Sequence, residues 1–302
     1  MTIAVSIENL EYVYPDGTRA LDRVSLNISE GELVVILGPN GAGKSTLLLH
    51  LNGILTGGGT VRIFGKDIRD KKRSELVREV GIVFQNPDDQ LFMPTIFDDV
   101  AFGPLNMNLS EDEVKERVRN ALRDVNMEEF TDRCPHHLSF GEKKKASIAT
   151  ILSINPCIIA LDEPTTNLDP MSRRELIKII KKLRSGGKTI IIATHDIEAI
   201  ADIADRIYIL NKRIIASGTP KEILLDFELL KNANLEVPTI TILFEVLSHL
   251  GYNPENPPLS LDEAINHLTK TIETEGGHIH LHIHEHSHEE IERVKKKYNH
   301  HL

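Results

Sequence analysis

Apolar residues along this chain follow two rhythms, and the switches between them mark its elements. Residues 3–13 (IAVSIENLEYV) and 24–29 read as strands, joined across the Pro/Asp/Gly turn of YPDGTRAL. LVVIL at 33–37 is a short apolar run that stops at a glycine-rich turn, and STLLLHLNGIL then predicts a helix. GTVRIFG is a further strand-like piece ending in glycine. Between Pro87 and Ser153 the rhythm is helical. SEDEVKERVRNALRDV sets Ser110 as a capping residue before acidic positions, with apolar residues following at helical spacing. β-rich runs return with CIIALD (157–162), KTIIIATH (188–195) and RIYILN (206–211), with the amphipathic RRELIKIIKKL after the first of them. Strands alternating with helices predict an α/β fold on a parallel, mostly buried sheet.

After Gly218 the pattern is helical and broken by prolines: PKEILLDFELLKNANL, TITILFEVLSHLG and SLDEAINHLTKTI, with NPENPP (253–258) as a turn-rich break. Ile242, Leu243, Val246, Leu247 and Leu250 form a helical stripe that suits either a partner or the chain's own core. The expected organisation is a nucleotide-binding unit over 1–220, its helical subdomain at about 87–153, a helical module over 221–275, and a His-rich tail over 276–302.

Charge and cysteine content narrow the classes. A formal net charge of −10 over 302 residues argues against broad binding to nucleic acid or anionic lipid. Two cysteines, Cys134 and Cys157, give no disulfide framework, which suits a reducing cytoplasm. No stretch approaches the ~18 consecutive apolar residues of a spanning helix. The N-terminus lacks the basic flank and apolar run of a signal peptide. Any membrane role is expected to come through a partner.

The chemistry is concentrated in three stretches. GPNGAGKS, from Gly38 to Ser45, fits G-x-x-x-x-G-K-[ST] between a strand and a helix. In this loop of Gly38, Pro39, Asn40, Gly41, Ala42 and Gly43 the glycines let successive backbone N–H groups turn inward around phosphate oxygens. Lys44 supplies charge to the β- and γ-phosphates, the Ser45 hydroxyl is placed to coordinate Mg²⁺, and Thr46 helps hold phosphate. CIIALDEP ends an apolar strand in two acids, which a buried strand rarely does without a nearby positive charge. Asp162 suits Mg²⁺ through water, and Glu163 suits a general base acting on water.

LSFGEKKKASIAT (138–150) is the third stretch, and with it residues 3–220 resemble the ATP-binding-cassette ATPases. In that family an LSGGQ-like signature opens a helix and contacts the γ-phosphate held by the opposite subunit. Ser139 and Gly141 match it, while Phe140 replaces the first glycine of the pair and Glu142 the glutamine. The resemblance implies a P-loop NTPase fold with a RecA-like parallel-sheet core, an antiparallel β subdomain, a helical subdomain and a small C-terminal helical module. It further implies that Gln85 in VFQNP links Mg²⁺ to the helical subdomain and that Asp169 in NLD lies in the loop crossing the dimer interface. His195 in ATHD matches the switch histidine, and Tyr14 matches the ring that stacks on adenine, with Tyr12 on the alternate face as the competing ring. Cys134, His136 and His137 carry ligand atoms, but no fourth ligand stands at zinc-finger spacing, so the linker reading is preferred.

QNPDDQLFMPTIFDDVAFGP (85–104) and LSFGEKKK resemble the energy-coupling-factor importers, especially the cobalt and nickel ones. There the second glutamine, here Gln90, and an acidic, apolar surface face a transmembrane coupling subunit, which works beside a substrate-specific membrane component. LFMPTIF is an apolar patch suited to such a contact, or to a satellite core. The resemblance implies ATP and Mg²⁺ as cofactors, a homodimer or heterodimer of cassettes, and a peripheral place on the cytoplasmic face of the cell membrane. Vitamin import and a non-transport ATPase are the competing functions.

In the tail, His278, His280, His282, His284, His286 and His288 occupy every second position. Extended, they would share one face at roughly 6.6–6.8 Å per two residues. Imidazoles so arrayed are ligands for Ni²⁺, Co²⁺, Zn²⁺ or Cu²⁺, and the resemblance to the cobalt and nickel importers points to Ni²⁺ or Co²⁺. HIHLHI also has the alternation of an ordinary strand, and both readings stand.

Overall fold

The computed structural model describes residues 2–198, 200–201, 203–249 and 256–274. The six-histidine stretch therefore lies outside the described residues. β1 (Ile3–Val13) and β2 (Arg19–Ser29) pair antiparallel. β2 starts earlier than its periodicity predicts: Leu21 is buried opposite Tyr12 and Arg19 pairs with Val13, which contracts the turn to 14–18. β3 (Leu33–Leu37) runs into the glycine-rich loop and α1 (Lys44–Leu51). That helix stops short of the predicted NGIL because Gly53 takes a left-handed φ of 72°, a conformation that ends helices.

β4 (Gly58–Ile63) and the two-residue β5 (Lys66–Asp67) extend the first sheet. α2 (Arg73–Glu79) and β6 (Val80–Val83) then follow, two elements the apolar rhythm did not announce. Between β6 and the next strand lie α3 (Ile96–Asn106), α4 (Glu111–Asp124) and α5 (Phe140–Leu152). Ser110 caps α4 as expected, in a reciprocal bond with Glu113. β7 (Ile158–Asp162), α6 (Pro170–Ser185), β8 (Thr189–Thr194), β9 (Arg206–Asn211) and β10 (Arg213–Gly218) complete the strand-bearing part.

The large sheet has the order β10-β9-β3-β8-β7-β6, parallel except for the β9–β10 hairpin at its edge. The smaller antiparallel sheet has the order β2-β1-β4-β5. Two apolar cores flank the large sheet because neighbouring side chains on a strand face opposite ways. Leu33, Val35 and Leu37 point to one, together with Ile159, Leu161, Ile190 and Ile192 and residues of α3–α6. Val34 and Ile36 point to the other, with Ala160, Ile191, α1 and the antiparallel sheet. Strands buried on both faces read as continuous apolar runs for this reason.

Beyond β10, α7 (Pro220–Leu224), α8 (Phe227–Asn232), α9 (Thr239–His249) and α10 (Leu261–Thr274) follow. The face α9 buries carries Thr241 and Phe244, not the stripe named above: Leu243 is exposed and Ile242, Val246 and Leu247 are half-buried. Leu250 falls outside the described residues.

Candidate active site

The parallel strands β3, β6, β7 and β8 all run in one direction, so their C-terminal ends open on one crevice. The glycine-rich loop leaves β3 there, Gln85 follows β6, Asp162 ends β7 with Glu163 next, and His195 follows β8. Residues as far apart in sequence as Gly38 and His195 are gathered by topology alone.

Glycine at 38 and 43 is imposed by neighbouring backbone. A Cβ on Gly38 would lie 2.3 Å from the Leu210 carbonyl oxygen, and one on Gly43 2.4 Å from that of Ala20. Gly43 is also the N-cap of α1, at φ 100°, and its end of the helix has no side-chain cap. Its first N–H groups and its positive dipole end are thus turned to the crevice, an anion-binding arrangement. Pro39 and Ala42 close the loop through Ala42 N–H to the Pro39 carbonyl, 3.2 Å, and Asn40 is exposed at its tip.

Lys44 is buried; its Nζ donates to the carbonyl oxygens of Gly38 (2.7 Å) and Pro39 (3.2 Å) and lies 3.2 Å from Glu163 Oε1. The same Oε1 is 2.9 Å from His195 Nδ1. Oε2 accepts from the hydroxyls of Thr194 (3.0 Å) and Thr166 (3.1 Å). Burial pushes the Glu163 carboxyl up, but the His195 hydrogen bond, the Lys44 charge and the Thr194 hydroxyl together hold it below the ordinary glutamate value. Glu163 adopts φ 43°, a left-handed backbone rare outside glycine, and its N–H donates to the Ala193 carbonyl at 2.8 Å.

Asp162 differs from its neighbour. Its Oδ1 is buried with no hydrogen-bond partner, while Ser45 bonds to the carboxyl. Burial drives this carboxyl upward, against the Ser45 hydrogen bond. A buried carboxylate oxygen with a free lone pair, beside a serine hydroxyl and at the mouth of a phosphate loop, is the donor set a hard, oxygen-seeking cation takes. The residues therefore fit Mg²⁺, which Ser45 and Asp162 would hold.

Tyr14 and Tyr12 separate clearly. The Tyr14 hydroxyl is 3.0 Å from Thr46 Oγ1 at the start of α1, whereas Tyr12 packs edge-on behind it against both Tyr14 and the buried His50. Tyr14 is the ring beside the phosphate loop. Ser139 caps α5 and exchanges hydrogen bonds with Glu142, so the residue that replaces glutamine completes a capping box. Gly141 is buried: a Cβ there would lie 2.6 Å from Ser172 Oγ on α6. Asp169 caps α6, accepting from the N–H groups of Met171 and Ser172.

Two expectations change. Gln90 does not face outward; its Nε2 donates to the Ser147 carbonyl (2.8 Å) and to Thr150 Oγ1 (2.7 Å), and its Oε1 accepts from Phe84 N–H (3.3 Å). The LFMPTIF stretch is split. Leu91 and Ile96 join the core, while Phe92, 62% exposed, stacks edge-on against the exposed Phe102 with Leu105 also bare. The buried Asp99 fixes this turn by accepting from the N–H groups of Phe92 and Met93 at 3.0 Å each. Cys134 precedes a 3-10 turn, Pro135–His137, in which both histidines are exposed. Among the described residues, no group of three or more His, Cys, Asp or Glu side chains is placed to hold a metal ion.

Lys144 escaped notice in the sequence, although a signal was present. It lies three residues from Gly141 and four from Ile148, both buried, and a lysine on the buried face of a helix needs partners. Those partners are the backbone carbonyls of Phe84 and Gln85, and burial lowers the ammonium to about 8 against the pull of Asp162 and Glu163. Thr194 and Thr166 were missed as well, being ordinary residues until the fold brings them to Glu163.

A phosphate loop under paired acids, at the C-terminal ends of a parallel sheet, with a signature serine heading a separate helix, defines a P-loop ATPase of the ATP-binding-cassette class. The ABC transporter family profile matches residues 21–166. An energy-coupling factor transporter ATP-binding protein, EcfA, of Carboxydothermus hydrogenoformans is 50% identical over 275 residues, covering 90% of this chain and 100% of its own. The chain belongs to the ABC transporter family, among its energy-coupling factor ATP-binding proteins. The structure of cbiO1 from Clostridium perfringens, described as part of the ABC transporter complex cbiONQ, superposes with a TM-score of 0.70 at 42% identity, covering 81% of this chain and 100% of that one. The dimeric post-hydrolysis state of the cassette MJ0796, bound to ADP and Pi, superposes with a TM-score of 0.64 at 31% identity, covering 72% and 98%. Among the described residues no helix is long and apolar enough to cross a membrane.

Proposed function

We propose that this ATPase energises import through a membrane partner, and that its cargo is a cobalt or nickel ion. The observation that carries the hydrolytic reading is the meeting of Lys44 Nζ and His195 Nδ1 on one oxygen of Glu163. Lys44 neutralises the base and is itself held by the loop carbonyls. An arriving triphosphate competes for that ammonium, receives the loop N–H groups, and leaves Glu163 free to take a proton from the attacking water. His195 then holds the carboxylate in place through Oε1 and is at hand for the γ-phosphate. Tyr14 offers its ring to adenine. Ser45 and Asp162 would hold Mg²⁺, with Gln85 beside them, and the ion would supply positive charge to offset that of the phosphates. Ser139, Gly141 and Asp169 act across a pair of cassettes, a reading supported by the dimeric state of the 31% identical relative.

The membrane partner is supported by the bare Phe92, Phe102 and Leu105, an apolar patch on a water-facing surface. A coupling subunit that covers it would place this chain peripherally on the cytoplasmic face, beside a substrate-specific component. The cargo reading rests on the six alternating histidines at 278–288 and on the likeness of 85–104 to the cobalt and nickel importers. A second reading, import of a vitamin, is favoured by relatives whose names state the energy-coupling factor and no metal.

Uptake of radiolabelled Co²⁺ and Ni²⁺ by cells carrying the intact transporter, Glu163→Gln, or a chain truncated after Gly277 decides between them. Uptake lost in Glu163→Gln supports metal import. Uptake of both metals unchanged by that variant sinks it and brings the vitamin forward.

A further inference from the structure

An ammonium removed from water is strongly destabilising unless hydrogen bonds replace its hydration. Lys144 has no exposed surface, and its Nζ donates to the carbonyl oxygens of Phe84 (3.0 Å) and Gln85 (2.6 Å). One turn earlier on α5, Phe140 sets its ring 6.0 Å from that nitrogen. This is the position where the family signature carries glycine. Two further ties join the same helix to the same loop. Lys143 Nζ bonds Asp88 Oδ1 at 2.7 Å, and Gln90 bonds Ser147 and Thr150. An apolar side chain would fill the space of Lys144 equally well, but it would not grip two carbonyls at the neck of the loop.

We propose that Lys144 is a positioning residue for ATP hydrolysis: by holding the Phe84 and Gln85 carbonyls it aims the Gln85 side chain at the nucleotide crevice and makes it move with Ser139 at the head of α5. The proposal rests on the reading of Gln85 given above. Backbone direction sets side-chain direction, so the grip on the Gln85 carbonyl constrains where its amide points. Ser139 meets a second cassette and Gln85 meets the nucleotide of its own. A rigid link between them passes the arrival of a partner to the chemistry. The link is local: α5 and the loop are separated by about 60 positions in sequence and by one layer of hydrogen bonds in space.

The test is a double-mutant cycle in the full chain, using Lys144→Met, Gln85→Ala and the pair, with Lys144→Gln as a shorter side chain that retains an N–H donor. Lys144→Met is expected to leave KM for ATP within about twofold while kcat falls about tenfold or more. The double variant is expected to fall no further than Gln85→Ala, since residues acting through one another are not additive. Hydrogen exchange supplies a readout independent of turnover: amides of 84–86 should exchange about tenfold faster in Lys144→Met, with those of α1 unchanged. Lys144→Gln should recover part of kcat.

Additive losses, or an unchanged kcat with unchanged exchange, overturn the proposal. So does unfolding of both Lys144 variants, which assigns the residue to packing. Wild-type turnover in Gln85→Ala would sink the reading of Gln85 instead, and faster exchange at 84–86 would still show that Lys144 holds the loop.

Discussion

Glu163 is held in a backbone conformation that costs energy for any residue with a Cβ, in the range of about 1–3 kcal/mol. Such strain persists where surrounding contacts over-determine it, here Lys44, His195, Thr194 and Thr166. Lys44→Ala should abolish measurable ATP binding. Glu163→Gln should bind ATP and lose about 10²–10⁴-fold in turnover, the usual worth of a positioned base. Fluorescent-nucleotide binding and phosphate release check both, and fast turnover in Glu163→Gln would remove the base assignment. The folded-state pKa of Glu163 lies below its ordinary value of 4.5. A carboxyl depressed in this way lends stability above its unfolded pKa and loses it as pH falls through the folded value. The acid limb of kcat/KM, which reports the free enzyme, should sit below 4.5 with Glu163 as the base. His195→Ala removes the largest stabiliser of the charged form, so that limb should move to higher pH. A pH–rate profile with no such movement would detach His195 from Glu163.

At the scale of the element, α4 and α5 begin with the same Ser-x-x-Glu capping box. Replacing Ser110 or Ser139 by alanine should lower stability alike, by about 1 kcal/mol. Only Ser139→Ala should also cut hydrolysis; thermal unfolding beside turnover separates the two effects, and equal turnover would reduce Ser139 to a cap. Elements of this kind were legible in the sequence because their signals are contiguous. β3 and β9 are short β-branched runs, and their bounds match the reading residue for residue. β6 was not legible, since four residues directly after α2 carry no rhythm of their own and become a strand by pairing with β7. β10 is an edge strand with alternating partial exposure, paired within its sheet with β9. The phosphate loop and the acids at 162 and 163 were legible for the same reason as β3. The grip of Lys144 on 84–85 and the inward turn of Gln90 were not, because hydrogen bonds across about 60 positions depend on packing that no local pattern encodes.

The whole molecule joins three surfaces: a nucleotide crevice, an apolar patch at Phe92, Phe102 and Leu105, and a C-terminal module that touches the crevice's rim. Thr239 Oγ1 donates to Glu198 Oε1 at 2.7 Å, which ties α9 to the segment following His195. A cavity of about 500 Å³ opens there between Asn40, His195 and residues 234–239. The tail makes a separate prediction. If the histidines bind metal, calorimetric titration of the full chain with Ni²⁺ should show sites that vanish on truncation after Gly277, and that weaken as pH falls through ~6.5 when the rings protonate. Binding unchanged by truncation would place the metal elsewhere. The stacked, bare Phe92 and Phe102 also bear on how much of this protein a cell keeps. A copy made without its membrane mate displays the greasy surface that chaperones and proteases survey, so orphans should be short-lived. Pulse-chase in cells lacking the membrane subunits should show rapid decay, slowed by Phe92→Ser, and the supply of one gene product would then be metered by its companion.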